Sequence, residues 1–364
     1  MSAAAGLSID EIELGTAIDL YNCRTIDGLI SSGHLLLQSL SPADLNLKES
    51  DEEITNSHRQ WLQSIEARGE LKNGYFIRTE IESTIASLPL PINFLDFETA
   101  RPVLPFNANK RPYEQLLFQY SLHRLESGLD FRHIAQYLAE PGTEPTLPTL
   151  RDLQASLGKN TGPVLHWWDH ERTVLNEIRK NLTEAGNRVP DGADLVEFID
   201  SLVGSTKAPG RLYDLGKLVH RCAYYSGTRG RSSLKQVLPA ILRTSNAMRE
   251  KYSRAIYGSE AGLRSSNFEN QAWVSANTPD RFDPYILLGD IGPHEALQNV
   301  EKFEDDEDFV ADGGAAMAAF AMLQNGLLGE AEALQTKKQL LKYCELDTFA
   351  MCLAWEHLCE IATL

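Results

Sequence analysis

The spacing of apolar residues changes character near position 89. Upstream, apolar residues recur at helical intervals in a rather polar background. This predicts helical segments near Asp10–Ile30, Ile54–Ala67 and Tyr75–Ser87, and a further helix start at Ser41-Pro42-Ala43-Asp44, with proline just inside it. The acidic run Lys48–Glu53 reads as an exposed connector. Leu88-Pro89-Leu90-Pro91 punctuates the chain, and strand-like runs follow. Strands are expected at Ile92–Glu98, Gln115–Arg124 and Phe131–Tyr137, the last two joined by a turn at Glu126–Asp130, and a short buried strand at Gly162–Trp168. Helices are expected at Leu147–Leu157, Glu171–Ala185, Ala193–Val203, Leu212–Cys222 and Ser233–Arg243. Residues 244–311 read as irregular, with the acidic run Glu304–Asp308 as a solvated loop, and helical periodicity returns at Gly314–Asn325 and Gly329–Leu358. Strands first and helices later predict an α/β fold, a mixed sheet covered by helices. A helical N-terminal extension over residues 1–88 would precede a main domain over 89–364.

Composition narrows the class. Of 364 residues, 43% are hydrophobic, enough for a proper core, and the formal net charge is −17. That charge argues against a broad basic surface wrapping nucleic acid, although a cation-binding cleft is itself acidic. The first fifteen residues carry acids and no apolar core, so no signal peptide is expected; the longest apolar run, Ala315–Leu323, is too short to span a bilayer. The five cysteines form no CxxC pair and read as reduced thiols of a cytoplasmic protein.

The chemistry begins inside the first strand. Asp96 and Glu98 lie two apart in the apolar run Ile92–Phe97, so they project from one face of a mostly buried strand. Two carboxylates placed so repel each other and lose hydration, an arrangement a hard divalent cation relieves; oxygen ligands at close quarters suit Mg²⁺ or Mn²⁺. Far downstream, Tyr343 and Asp347 are four apart in a helical pattern and share a face, as a carboxylate ligand and a phenol that hydrogen-bonds water would. His166 and His170 invite a metal or nucleophile reading. The chain holds no HExxH, GxSxG, Walker or GxGxxG pattern, so a zinc protease, a triad hydrolase, a P-loop ATPase and a dinucleotide enzyme lack their local signatures.

Together, Asp96-x-Glu98 and Tyr343-x-x-x-Asp347 resemble the first and third motifs of the DEDD 3′–5′ exonucleases of the ribonuclease H-like superfamily, in the variant whose third motif carries tyrosine. Leu95–Thr99 through Arg111–Gln115, then Ser232–Pro239, then Leu341–Thr348 resemble the DUF2779 family more closely, over roughly residues 85–360. The resemblance implies a ribonuclease H-like mixed β-sheet flanked by helices. It also implies a two-ion Mg²⁺ or Mn²⁺ phosphodiesterase that trims 3′ ends of single-stranded DNA or RNA. Asp96 would bridge both ions, Glu98 and Asp347 would hold the ion that binds the nucleophile, and Tyr343 would orient the water. The middle motif departs from the pattern: in Leu165–Glu171 a glutamate, Glu171, stands where aspartate is usual and Trp167 where asparagine is usual, with Asp169 and Asp214 as competing candidates for the fourth ligand.

Substrate contact needs cations and stacking groups. The loop Tyr224–Ser233, leading into Lys235, is locally basic; Arg229, Arg231 and Lys235, its two tyrosines, and Arg111 with Lys110 as a weaker patch are the substrate-binding candidates. The alternative to a nuclease is a catalytically degenerate module of the same fold that binds nucleic acid or a partner protein, with the N-terminal region as the place for a protein partner. No membrane association is expected.

Overall fold

The computed structural model describes residues 7–108, 110–206, 208–274, 282–288 and 313–363. In chain order the elements are α1 (Ile9–Glu13), α2 (Ile26–Ser31), α3 (Asn56–Ala67), β1 (Gly74–Phe76), α4 (Arg78–Ser87), β2 (Ile92–Ala100), β3 (Leu116–Leu125), β4 (Phe131–Leu138), α5 (Thr146–Leu157), β5 (Val164–His166), α6 (His170–Ala185), α7 (Gly192–Val203), β6 (Leu212–Asp214), α8 (Leu215–Cys222), β7 (Ala223–Tyr225), α9 (Leu234–Thr244), α10 (Asn246–Tyr252), α11 (Gly313–Gln324) and α12 (Glu330–Thr363). The expected mixed sheet covered by helices is present. Five strands lie in the order β4-β3-β2-β5-β6. The β2–β3–β4 meander is antiparallel, and β5 and β6 run parallel to β2.

Strand alternation assigns each face of the sheet its own core. Leu95, Phe97 and Val164 point to the layer built by α5, α6 and α7, through Leu153, Val174, Leu175 and Ile199. Phe94 and Leu165 point to the opposite layer, where α12 supplies Leu346, Phe349 and Leu353 and α9 supplies Val237 and Ile241. From Tyr343 to Leu358 every residue of α12 is buried, as expected of a helix covered on all sides.

Two features of β2 shape the site. It outruns β5: only Asn93 and Phe94 pair with Val164 and Leu165, so from Leu95 onward β2 has no strand partner on that side. On the other side the register with β3 shifts between Glu98 and Thr99, a bulge just past the second carboxylate. The point where antiparallel and parallel neighbours meet on one strand is a natural place for a ligand crevice.

The N-terminal stretch departs from the expected run of helices. Asp10–Ile30 is two short helices, α1 and α2, with a 3₁₀ turn at Ala17–Asp19 between them, and Ser41–Asp44 forms a turn in which Asp44 accepts from the Ser41 backbone at 2.8 Å. Tyr75 lies in a strand, β1, that pairs antiparallel with β7. Leu20, Leu29, Leu37, Leu40 and Leu45 form a small cluster against Trp61 on α3. Ile54, Leu62, Ile77 and Ile81 belong to the same core as α12. Residues 54–87 therefore share the core of the main fold, across the boundary expected at 88. Arg59, 1% exposed, donates to the carbonyls of Gly230, His220 and Ala223, tying α3 to the segment leading into α9.

Leu212–Cys222, expected as one helix, begins as the short strand β6, because Leu212–Asp214 completes the parallel edge beside β5. Residues 244–311 include the helix α10; the Glu304–Asp308 run lies outside the described residues. No described helix is long and apolar enough to cross a membrane, and all five cysteines are free thiols.

Candidate metal centre

Asp96 and Glu98 share a face of β2 because their positions differ by two, and that face looks onto α12. Specific bonds fix the height of α12 above the strand. Gln119 Nε2 on β3 donates to the Leu340 carbonyl at 2.7 Å. Ser121 Oγ, on the residue that pairs with Asp96, lies 2.7 Å from Thr348 Oγ1, beside Asp347 in sequence. The result brings Asp347 over Asp96. One carboxylate oxygen from each of Asp96, Glu98 and Asp347 lies within 4.8 Å of the others. Glu98 and Asp347 are each 7% exposed. Burial first, then the charges of Asp347, Glu98 and Glu171, pushes the Asp96 carboxyl well above the usual carboxylate range. The Cys344 thiol, also pushed up by burial and then by Asp96, sits 3.5 Å from Asp96 Oδ2. Clustered anions held out of water form a site that can bind a metal ion.

Of the middle-motif candidates, Glu171 is the one whose charge is felt at Asp96, although it lies outside the trio of converging carboxylates. It opens α6 and is 2% exposed, on the stripe that also buries Val174, Leu175, Ile178 and Leu182. Its Oε2 is buried and makes no hydrogen bond. Asp169 is exposed and paired with Lys217. Asp214 caps α8: its Oδ1 accepts from Lys217 N at 2.8 Å and from Trp168 N at 3.1 Å. It lies on β6, two strands from β2 and so about 10 Å away across the sheet, and is corrected from candidate ligand to structural cap. The cap stabilises the turn between β5 and α6, where Trp168 takes a left-handed backbone with φ 63°. Gly216 allows this close approach, since a Cβ there would fall 2.9 Å from Trp168 N.

Tyr343 is buried at the site, and Lys235 donates to its hydroxyl while sitting 5.0 Å from its ring centroid. Lys235 also lies 5.6 Å from the ring centroid of Tyr285, whose hydroxyl bonds Asp347, which links this substrate-binding candidate to the cluster. Arg229 is exposed and faces Asp19, and Arg111 is exposed near Glu184. Arg231 is half-buried. The reading of Tyr224 and Tyr225 as substrate contacts is corrected. Both are buried core residues, bonded to Glu66 and His357 respectively, because β7 carries them between β1 and α12.

Tyr285 escapes sequence reasoning. Its hydroxyl donates to Asp347 Oδ1 at 2.6 Å, and its ring lies 6.4 Å from that of Tyr343. It comes from a single 3₁₀ turn in the irregular stretch, where no periodicity marks it.

Residues 93–233 match the sequence model of the family described as "Domain of unknown function (DUF2779)". Over this segment the chain is similar to that family. The segment contains Asp96, Glu98 and Glu171 and ends before Tyr343 and Asp347, a narrower span than the resemblance read over residues 85–360. No curated protein and no solved structure matches the chain.

Proposed function

We propose that this protein is a metal-dependent phosphodiesterase of the ribonuclease H-like kind, a 3′–5′ exonuclease on single-stranded DNA or RNA working in the cytoplasm. The observation that carries this reading is the meeting of Asp96, Glu98 and Asp347, from the first strand of the sheet and the last helix, around one point. The residues fit divalent cations: all donors are carboxylate oxygens, those of Asp96, Glu98 and Asp347 converge within 4.8 Å, and Glu171, whose charge is felt at Asp96, keeps a buried Oε2 without a hydrogen bond.

Asp96, Glu98 and Asp347 would hold one Mg²⁺ or Mn²⁺, and Asp96 with Glu171 a second. Bound there, such ions neutralise phosphodiester charge and lower the pKa of water. The Tyr343 hydroxyl, which accepts from Lys235, would hydrogen-bond the attacking water, and the Lys235 ammonium would bring positive charge toward the carboxylates. Hydrolysis breaks one phosphorus–oxygen bond, adds water across it and releases a nucleotide.

The test is a calorimetric titration of Mn²⁺ into the chain, beside cleavage of end-labelled single-stranded DNA and RNA, with Asp96→Ala as control. The expected result is Mn²⁺ binding and stepwise loss from the 3′ end, both abolished by the substitution. Absence of both metal binding and cleavage overturns the reading. Nucleic-acid binding without cleavage supports the degenerate module instead.

A further inference from the structure

His166 and Glu171 form a buried pair. The imidazole is 0% exposed, and neither ring nitrogen makes a hydrogen bond. Its Nδ1 lies 3.4 Å from Glu171 Oε2, the oxygen that is likewise unpartnered. Buried polar atoms are paired in the great majority of cases, and leaving one unpaired costs about 1–3 kcal/mol. Three such atoms at one spot, beside a candidate ion site, call for a function. Strand alternation excludes direct ligation by His166 alongside Asp96. Val164 and, by alternation, His166 face the α5–α7 layer, whereas Asp96 faces α12. Glu171 stands between, on the α6 stripe facing that layer, with its charge felt at Asp96.

We propose that His166 is the positioning residue for Glu171: its Nδ1 proton, donated to Oε2, fixes the carboxylate so that the other oxygen is presented toward Asp96 and the second cation. The separation is slightly long for a hydrogen bond, as carboxylate–imidazole contacts often are before a site is filled. The neutral tautomer with its proton on Nδ1 satisfies the only donor and leaves just a lone pair facing the apolar layer. The arrangement also gives a physical reason why glutamate serves in the middle motif. The longer side chain has an extra torsion to restrain, and a hydrogen bond from behind restrains it.

This inference rests on the two-ion reading, and the experiment separates them. Mn²⁺ is titrated into the full wild-type chain and into His166→Leu and His166→Gln, with thermal melts as a control on folding. The expected result is two ions in the wild type. In His166→Leu one of the two should bind about 10–100-fold more weakly and the other be unchanged, with recovery in His166→Gln, whose amide again offers a donor. A purely structural histidine would move the melt and not the affinity of one ion alone. Two ions bound equally by His166→Leu and wild type overturn the positioning role and leave the nuclease reading intact; no Mn²⁺ binding in the wild type overturns both. Should His166→Leu fail to fold, the nitrogen-15 spectrum of the wild-type imidazole, assigned against His166→Gln, decides. A proton on Nδ1 supports the proposal, and one on Nε2 overturns it.

Discussion

Glu345 and Asp347 sit two residues apart on α12, both buried, in opposite circumstances. Glu345 is 0% exposed and surrounded by donors: Tyr257 Oη at 2.6 Å, Asn267 N at 3.0 Å, Asn267 Nδ2 at 2.6 Å, Ser266 N at 3.3 Å and the Ser265 hydroxyl, with His133 Nδ1 at 3.5 Å. Asp347 accepts from Tyr285 and faces two further carboxylates, Asp96 and Glu98. The first acid is solvated by the protein itself and locks the 257–267 segment to α12. The second is gathered with two further carboxylates within 4.8 Å. A buried acid ringed by donors reads as architecture, and one ringed by acids reads as a place for a cation.

The largest expected effect breaks that pairing on the architectural side. Glu345→Ala should lower stability by about 3–5 kcal/mol in urea unfolding, since it strands several buried donors. Asp347→Asn without metal should stay within about 1 kcal/mol of wild type, because it also removes a repulsion. An equally large loss in both would erase the distinction.

A buried base extends the comparison to protons. Burial takes the His357 imidazole from 6.5 down to about 4. Between those values the unfolded chain holds a proton that the folded chain lacks. Stability present at neutral pH is therefore lost as pH falls from 6.5 toward 4, by about 3 kcal/mol at most. Unfolding midpoints followed from pH 7 to pH 4.5 should show this slope in the wild type, and His357→Gln should flatten it.

Saturating Mn²⁺, at a hundred times its dissociation constant, should stabilise the fold by about 2.7 kcal/mol. Differential scanning calorimetry should find no such gain for Asp96→Asn. The smallest effect is the most diagnostic: in metal-free buffer Asp96→Asn should itself be more stable than wild type by roughly 1–2 kcal/mol, because it discharges the most crowded member of the cluster. A destabilised Asp96→Asn would mean that the cluster is already compensated.

Most of the sheet and its helices were legible because their periods are long and clean. The alternation that puts Asp96 and Glu98 together, and the four-residue step from Tyr343 to Asp347, follow from strand and helix geometry alone. Of the three-residue strands, β5 was legible within the buried run Gly162–Trp168, whereas β1, β6 and β7 were not. β6 runs directly into α8, and only its neighbour β5 makes Leu212–Asp214 extended. Asp214 looked like a ligand because an acid after a short apolar run fits either role; its bonds to Trp168 N and Lys217 N decide in favour of the cap. Tyr224 and Tyr225 looked like substrate contacts because arginines and glycines follow them, yet pairing of β7 with β1 buries both. Tyr285 and the His166–Glu171 contact are set by tertiary packing, which no local spacing encodes.

The Arg59 guanidinium, spread over the carbonyls of Gly230, His220 and Ala223, bears on any attempt to shorten the chain. A fragment begun at the prolines near residue 90 would lose that clasp together with the partner strand of Ala223–Tyr225. Three backbone oxygens would be stranded in the interior, just upstream of the segment that delivers Lys235. A minimal folded piece should start ahead of Thr55, so that the whole of α3 travels with the acidic cluster.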